Sequence, residues 1–316
     1  MKEMISCPVC KSESKIIYDL PRDYLKDNLE RYFNVTINED LNLIAYEMAA
    51  CSNCTLTFAH PLVEGSGAFY SWITRQEAYY PTDRWEYHKV YDILNNNKSG
   101  SLSLVDVGCG SGEFLELLKP LKNVKAIGVD PTQTSIDKCR NKGVDGYCLT
   151  LEDFLKTYER YKNSFDYIVS FHCLEHIGAP LDFLDSMLQA LKPGGSILIS
   201  TPYSPMSFET DWFDPLNHPP HHMGRWNTAA YRKLGEKLNL DVTFHMPKSR
   251  SLLQRTITAF FYSKMDFRKY SHIRFLKLFL RFPGSFYKHM VIQRGRAKVN
   301  GETAADVVLV EFKAKR

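Results

Sequence analysis

No stretch of about 18 uncharged apolar residues occurs anywhere in this 316-residue chain, which excludes a membrane-crossing helix. The N-terminus, MKEMISCPVC, has no apolar run behind Lys2, so no secretory signal is expected. The chain therefore reads as cytoplasmic, and in a reducing compartment its 8 cysteines are poor disulfide candidates. A strong overall charge is missing as well, since the net is only +4. Acid is scarce locally, however: from Lys248 to Lys298, Asp266 stands alone against 13 Lys and Arg. That segment carries 13 − 1 = +12 and the rest 4 − 12 = −8, an asymmetry that points to an anionic partner. With 44% hydrophobic residues the chain can fill the core of one large domain or two smaller ones.

Four cysteines form two C-x-x-C pairs, CPVC at Cys7 and Cys10 and CSNC at Cys51 and Cys54. Each pair makes a tight knuckle presenting two thiolates, and two knuckles complete a tetrahedral zinc shell that is closed and structural. The gap between them is wider than a simple ribbon needs, so YDLPRDYLKDNLERYF is expected to fold as an inserted element. This module spans 1–62. Residues 63–100 are rich in aromatics and partly helical in pattern, a connector or lid, with Tyr79 and Tyr80 as weaker candidates for lining an acceptor pocket.

From Leu102 the pattern alternates between buried strands and amphipathic helices: LSLVDV, GCGSGEFLELLK, VKAIGVD, QTSIDKCRNKG, GYCL, LEDFLKTYERYK, FDYIVSF, DFLDSMLQALKPGG and SILIST. In DFLDSMLQALKPGG the Pro-Gly-Gly reads as the helix stop. Such alternation predicts an α/β fold, a Rossmann-like, doubly wound and mostly parallel seven-stranded sheet over 101–247 plus 302–316. Residues 248–301 form a basic helical insertion before the last strand.

FHCLEHI contains His172, Glu175 and His176 spelled H-x-x-E-H, one form of a zinc peptidase motif. That motif lacks its required context. A metal-binding version needs a continuous helix, whereas this one directly follows the strand DYIVSF and precedes Gly178 and Pro180. It therefore lies at the carboxyl end of a central strand, in the crevice where open α/β sheets bind ligands.

The glycine turn VDVGCGSGEF carries Gly108, Gly110 and Gly112, but a dinucleotide fingerprint wants its third glycine at the position of Glu113. Asp130 ends the second strand, where a carboxylate can accept hydrogen bonds from a ribose diol. VDVGCGSG, the VD at 129 and 130, TLEDF at 150–154, FDYIVSFHCLEHI and LKPGGSILISTP together resemble the successive motifs of class I S-adenosylmethionine-dependent methyltransferases, in the subgroup with L-E-H after the fourth strand. VVLVEFKAK suits that fold's last, edge strand. The resemblance implies that Gly108, Gly110 and Gly112 line the methionine moiety, Asp130 the ribose and Leu151 and Glu152 the adenine. It implies that Asp106 and Phe171 complete the cofactor site. With its four-cysteine module the chain also resembles bacterial sugar methyltransferases acting on nucleotide-linked deoxysugars. No second α/β domain follows, so O- or N-methylation of a sugar, nucleotide-sugar or glycan precursor is expected rather than C-methylation of a keto-sugar.

Methyl transfer needs an aligned acceptor and often a proton acceptor, which a neutral histidine near pH 7 supplies. His176 and His172 lie at the fourth strand's tip, and DWFDPLNHPPHHMGRW brings His218, His221 and His222 to the same edge of the sheet. His176, His222, His221 and His172 are the base candidates. The loop's three histidines, with Asp211 and Asp214, leave a metal as an alternative.

In the basic segment Ile273, Leu276, Phe279 and Leu280 recur at helical spacing among Arg274, Lys277 and Arg281. This reads as a packed lid, or as an anchor over 252–292 lying on anionic lipid at the inner face of a membrane. An RNA methyltransferase gripping phosphates is the competing class. The D/N-P-P-Y/F/W sequence of base N-methylating enzymes is missing after the fourth strand, which disfavours nucleic acid. A non-catalytic cofactor-binding protein is the remaining alternative.

Overall fold

The structure is a computed structural model and describes residues 5–76, 83–98, 100–209, 213–264 and 272–315. Tyr79, Tyr80 and Asp211 lie outside the described residues. Near the N-terminus, strands Ile5–Ser6, Glu13–Leu20, Tyr46–Cys51 and Thr57–His60 pair antiparallel in that order. The expected insertion is the helix Arg22–Phe33, which buries Leu25 and Leu29 and ends at Asn34 in the left-handed region, φ 55°. A fifth strand comes from far along the chain: Gly224–Arg225 pairs with Thr57–His60 through Gly224 with Phe58 and Arg225 with Thr57. The cysteine module is thus stitched to the loop that carries three of the histidines.

The central sheet has seven strands, β1 Leu102–Val107, β2 Val124–Val129, β3 Gly146–Tyr147, β4 Phe165–Phe171, β5 Leu191–Pro202, β6 Leu240–His245 and β7 Val307–Ala314. Their order is β6-β7-β5-β4-β1-β2-β3, with β1 to β5 parallel and β7 antiparallel to both neighbours. Alternate β1 side chains enter opposite cores: Val105 and Val107 pack with Leu184, Met187 and Leu234, while Leu102 and Leu104 pack with Val90, Leu94 and Ile136. Burial on both faces is why the run is apolar throughout.

One expectation needs correction. β7 is not the edge strand, because β6 pairs along its outer side from Leu240 with Ala314 to His245 with Leu309. The Pro-Gly-Gly at 193–195 lies just past the helix it is expected to close: Pro180–Ala190 ends with Leu191 as its cap, and Gly194, at φ 82°, sits in the irregular stretch of β5 between Leu191, paired with Phe165, and Ser196, paired with Tyr167.

The basic insertion folds as helices Leu252–Lys264, His272–Arg281 and Pro283–Gly295. The first and third pack inward: Phe260 is fully buried, and its ring lies 5.5 Å from Phe286. The middle helix divides its apolar residues. Phe279 turns to Phe286 at 5.1 Å, whereas Ile273, Leu276 and Leu280 stay 70%, 55% and 71% exposed beside exposed Arg274, Lys277 and Arg281. Among the described residues, no helix is long and apolar enough to cross a membrane.

Candidate active site

The glycine loop leaves β1 with Gly108, Gly110 and Gly112 at φ 75°, 52° and 79°, the left-handed region that glycine enters without strain. Gly108 also has no room for a side chain, since a Cβ there would run into Cys173 Sγ, and one at Gly112 would meet Cys139 Sγ. Two cysteines outside the paired motifs thus form the floor beneath the loop. Asp130, just past β2, accepts hydrogen bonds from Gly110 N at 3.0 Å and Thr132 N at 2.8 Å. Burial pushes its carboxyl up against the pull of those N–H groups.

Asp106 is fully buried beneath the loop, and burial raises its pKa well above the ordinary carboxylate range. Among the described residues its Oδ1 has no hydrogen-bond partner. A buried, unsatisfied carboxylate costs free energy until a donor or cation reaches it. The residues present therefore suit a ligand with an ammonium and a diol. Leu151 is buried, while Glu152 points to solvent and pairs with Lys156 at 2.7 Å. Phe171 packs edge-on against Tyr87 at 4.8 Å and lies 4.7 Å from Phe114, supporting the loop from within the core.

At the tip of β4 the chain turns through His172, at φ 54°, into the short 3-10 turn Leu174–His176. No continuous helix exists here, as the strand context predicts. His172 is held on both sides by acids: its Nε2 lies 2.6 Å from Glu86 Oε1 and its Nδ1 3.2 Å from Glu175 Oε1. Burial alone would lower its pKa, but Glu175 and Glu86 outweigh that and hold it above the usual histidine value. Burial raises Glu86, but His172, a backbone N–H and Arg84 together leave it below the ordinary glutamate value. His172 therefore clamps helix Trp85–Asn96 to the strand tip with both ring nitrogens facing carboxylates, an arrangement poorly suited to taking a proton from an acceptor. Glu86 lies 86 residues from His172, and no local pattern marks it as the partner.

The sign of the pH effect follows. The His172 contribution is complete below about pH 6.5 and disappears as pH rises through its raised folded value; the Glu86 contribution is present above about pH 4.5 and disappears as pH falls through its lowered one. His172→Asn, which tolerates the left-handed backbone, should cost about 3 to 5 kcal/mol near pH 5.5 and clearly less near pH 9. Denaturant midpoints of both proteins at the two pH values check this.

Three other imidazoles gather beside the turn. The ring centroids of His176, His221 and His222 lie 4.5, 4.9 and 4.6 Å apart, and one ring nitrogen of each falls within 4.8 Å of the others. His176 Nδ1 donates to His221 O at 2.6 Å, and His221 Nδ1 donates to Leu216 O at 2.7 Å. His222 Nδ1 lies 3.1 Å from Asn217 Oδ1. These oxygens select the Nδ1–H tautomer and make Nε2 the basic nitrogen of each ring. Burial is the first cause that pushes His221 and His222 well below the ordinary histidine value, so both are neutral at pH 7. Tyr70, from helix Gly67–Ile73, sits over His176 at 6.1 Å and was not singled out by the sequence.

His218 is separate from this cluster. It stacks on Phe213 at 3.9 Å, donates to Asp214 O at 2.6 Å and accepts from Arg225. Burial and then Arg225 push its pKa down to about 3. The expected loop trio thus exchanges His218 for His176, and the Asp214 carboxylate caps Leu216 N at 2.9 Å. Backbone bonds hold the loop: Ala59 N donates to Met223 O at 2.8 Å and Met223 N to Glu175 O at 2.6 Å, linking the cysteine module to the histidine turn.

The four cysteines are buried, with Cys7 Sγ to Cys54 Sγ at 3.6 Å and Cys10 Sγ to Cys51 Sγ at 3.3 Å. Four thiolates about 2.3 Å from one ion lie about 3.8 Å apart, so the donor set fits a tetrahedral metal. Both knuckles place the residue after the second cysteine, Lys11 and Thr55, at positive φ of 61° and 58°.

Residues 75–245, more than half the chain, match a family model described as a methyltransferase domain. The chain is 33% identical over 112 residues to the mitochondrial ubiquinone biosynthesis O-methyltransferase of Dictyostelium discoideum, a match covering 32% of this chain and 35% of that one. It is 32% identical over 116 residues to the ubiquinone biosynthesis O-methyltransferase of Bradyrhizobium diazoefficiens, covering 35% and 44%. It thus spans less than half the length of these curated relatives. A crystal structure of a SAM-dependent methyltransferase from Archaeoglobus fulgidus aligns with 72% of this chain and 94% of its own at 19% identity and a TM-score of 0.46.

Proposed function

The chain belongs to the methyltransferase domain family, and from that premise we propose that it transfers a methyl group from S-adenosylmethionine to an oxygen, or a nitrogen, of a small acceptor. The observation that carries this reading is the glycine loop with two acids, the buried Asp106 and the half-buried Asp130, at the same sheet edge as the cluster of His176, His221 and His222. When bound, the cofactor supplies a methyl on a positively charged sulfur. Asp130 would hold the ribose diol, Asp106 would compensate the ammonium, and Gly108 would let the amino-acid end lie on backbone. A histidine Nε2 at this edge would take the proton of the acceptor oxygen as that oxygen receives the methyl group. His176 and His222 are the candidates for that transfer, with His221 behind them; His172 serves as the clamp.

The acceptor class we propose is a sugar, nucleotide-linked sugar or glycan precursor, supported by the four-cysteine module's resemblance to bacterial sugar methyltransferases. A second reading, an acceptor from ubiquinone biosynthesis, is favoured by the names of the two relatives. The cysteine shell would hold a structural zinc ion. The exposed Ile273, Leu276 and Leu280 beside Arg274, Lys277 and Arg281 would rest on anionic lipid.

Turnover and cofactor affinity of His176→Ala and His222→Ala test the chemistry. At least one should lose about 100-fold or more in turnover while cofactor affinity stays within a few fold. If both keep full turnover, neither is the base.

A further inference from the structure

The three-histidine cluster has a feature that a lone general base does not require. Three rings from two separate segments, His176 after β4 and His221 with His222 after β5, bring ring nitrogens within 4.8 Å of one another. Each Nδ1 is engaged by an oxygen, from His221 O, Leu216 O or Asn217 Oδ1. A metal-binding histidine characteristically donates its other N–H to a carbonyl or carboxylate, which fixes the tautomer and aims the remaining nitrogen. A single base would need that arrangement once.

A second, independent observation lies alongside. The Glu175 side chain is 1% exposed, and among the described residues no hydrogen bond reaches either of its carboxylate oxygens. His172 Nδ1 approaches one oxygen at 3.2 Å and His222 Nε2 the same oxygen at 4.0 Å. Glu175 shares His172 with Glu86, so its buried carboxylate is only partly compensated, and a cation among the three rings beside it would complete that compensation.

We propose that His176, His221 and His222 bind a divalent transition-metal ion through Nε2, at a site distinct from the four-cysteine shell. The donor set suits zinc or cobalt. Nitrogens about 2.1 Å from one ion sit about 3.4 Å apart in a tetrahedron, so the rings draw slightly together on binding. Three protein ligands leave a fourth position for an oxygen ligand, the pattern of an open rather than a closed site. With the ion bound no Nε2 is left to take the acceptor proton, and the ion in place of a histidine would lower the pKa of an acceptor hydroxyl in that position, whose proton would leave to solvent. This last consequence rests on the proposed methyl transfer, whereas ion binding does not.

Metal content of the purified full chain, topped up with cobalt(II) and read by X-ray absorption, tests the site without any assay of activity. Two ions per chain are expected, one with sulfur and one with nitrogen in its first shell. The double variant His221→Ala/His222→Ala should keep the sulfur-bound ion and lose the other. The proposal is overturned if the wild type never exceeds one ion per chain, or if the double variant retains a nitrogen-bound second ion. Should the variant lose both ions through misfolding, the wild-type spectrum decides: nitrogen scattering from the second ion supports the site and sulfur scattering alone rejects it.

Discussion

Asp130→Ala should weaken S-adenosylmethionine binding by at least about 100-fold. Two hydrogen bonds from the ribose diol to a carboxylate are each worth about 1.5 to 3 kcal/mol, and about 1.4 kcal/mol corresponds to a factor of ten. The loss has a second part. Asp130 also accepts from Gly110 N and Thr132 N, so its removal frees the middle of the glycine loop as well as the ligand contact. Asp130→Asn separates the two, because an amide oxygen can still hold one N–H but carries no charge. Its affinity should fall between wild type and alanine. Titration calorimetry on the three proteins measures this, and equal affinities would remove Asp130 from the site.

Stripping the zinc ion proposed for the four-cysteine shell should abolish turnover while largely sparing cofactor binding. The residues proposed to hold the cofactor run from Asp106 to Phe171, along the central sheet, whereas the histidine loop is held by the module. Its strand Gly224–Arg225 lies in the module's sheet, and Met223 bridges Ala59 to Glu175. Structural zinc commonly contributes folding free energy outright, so a strong chelator, or Cys54→Ser, should cost several kcal/mol of module stability. Trp226 is 1% exposed, and Asn227 next to it bonds Thr55 in the second knuckle, so indole fluorescence should shift to the red as the module loosens. Turnover should drop about 100-fold or more with cofactor affinity changed by only a few fold. Full turnover in chelated protein would show that the module does not position the loop.

What the sequence made legible was local. The glycine turn, the acid closing each of the first two strands and the paired cysteines are short motifs whose geometry follows from neighbouring residues. The H-x-x-E-H stretch could be placed at a strand end because the aromatic and β-branched run FDYIVSF leads into it and glycine and proline follow. The remainder is long-range. Gly224–Arg225 is a two-residue strand with no periodicity of its own, and its partner lies more than 160 residues earlier in the sequence. Glu86, the acid that makes His172 a clamp, sits in a connector helix whose pattern suggests only packing. The position of β7 between β5 and β6 is a choice of pairing order to which a strand's own composition is indifferent. His218 and His176 could not be told apart by spacing; Arg225 and Phe213 claim the first, and the L-E-H turn delivers the second.

The account stands on a sulfonium cofactor binding across the glycine loop, and the most direct measurement is a calorimetric titration of the metal-loaded full chain with S-adenosylmethionine and with its demethylated product. Saturable heat with both ligands, lost in Asp130→Ala, is the predicted result. No heat with either ligand, from protein whose folding is confirmed by its melting transition, would contradict it.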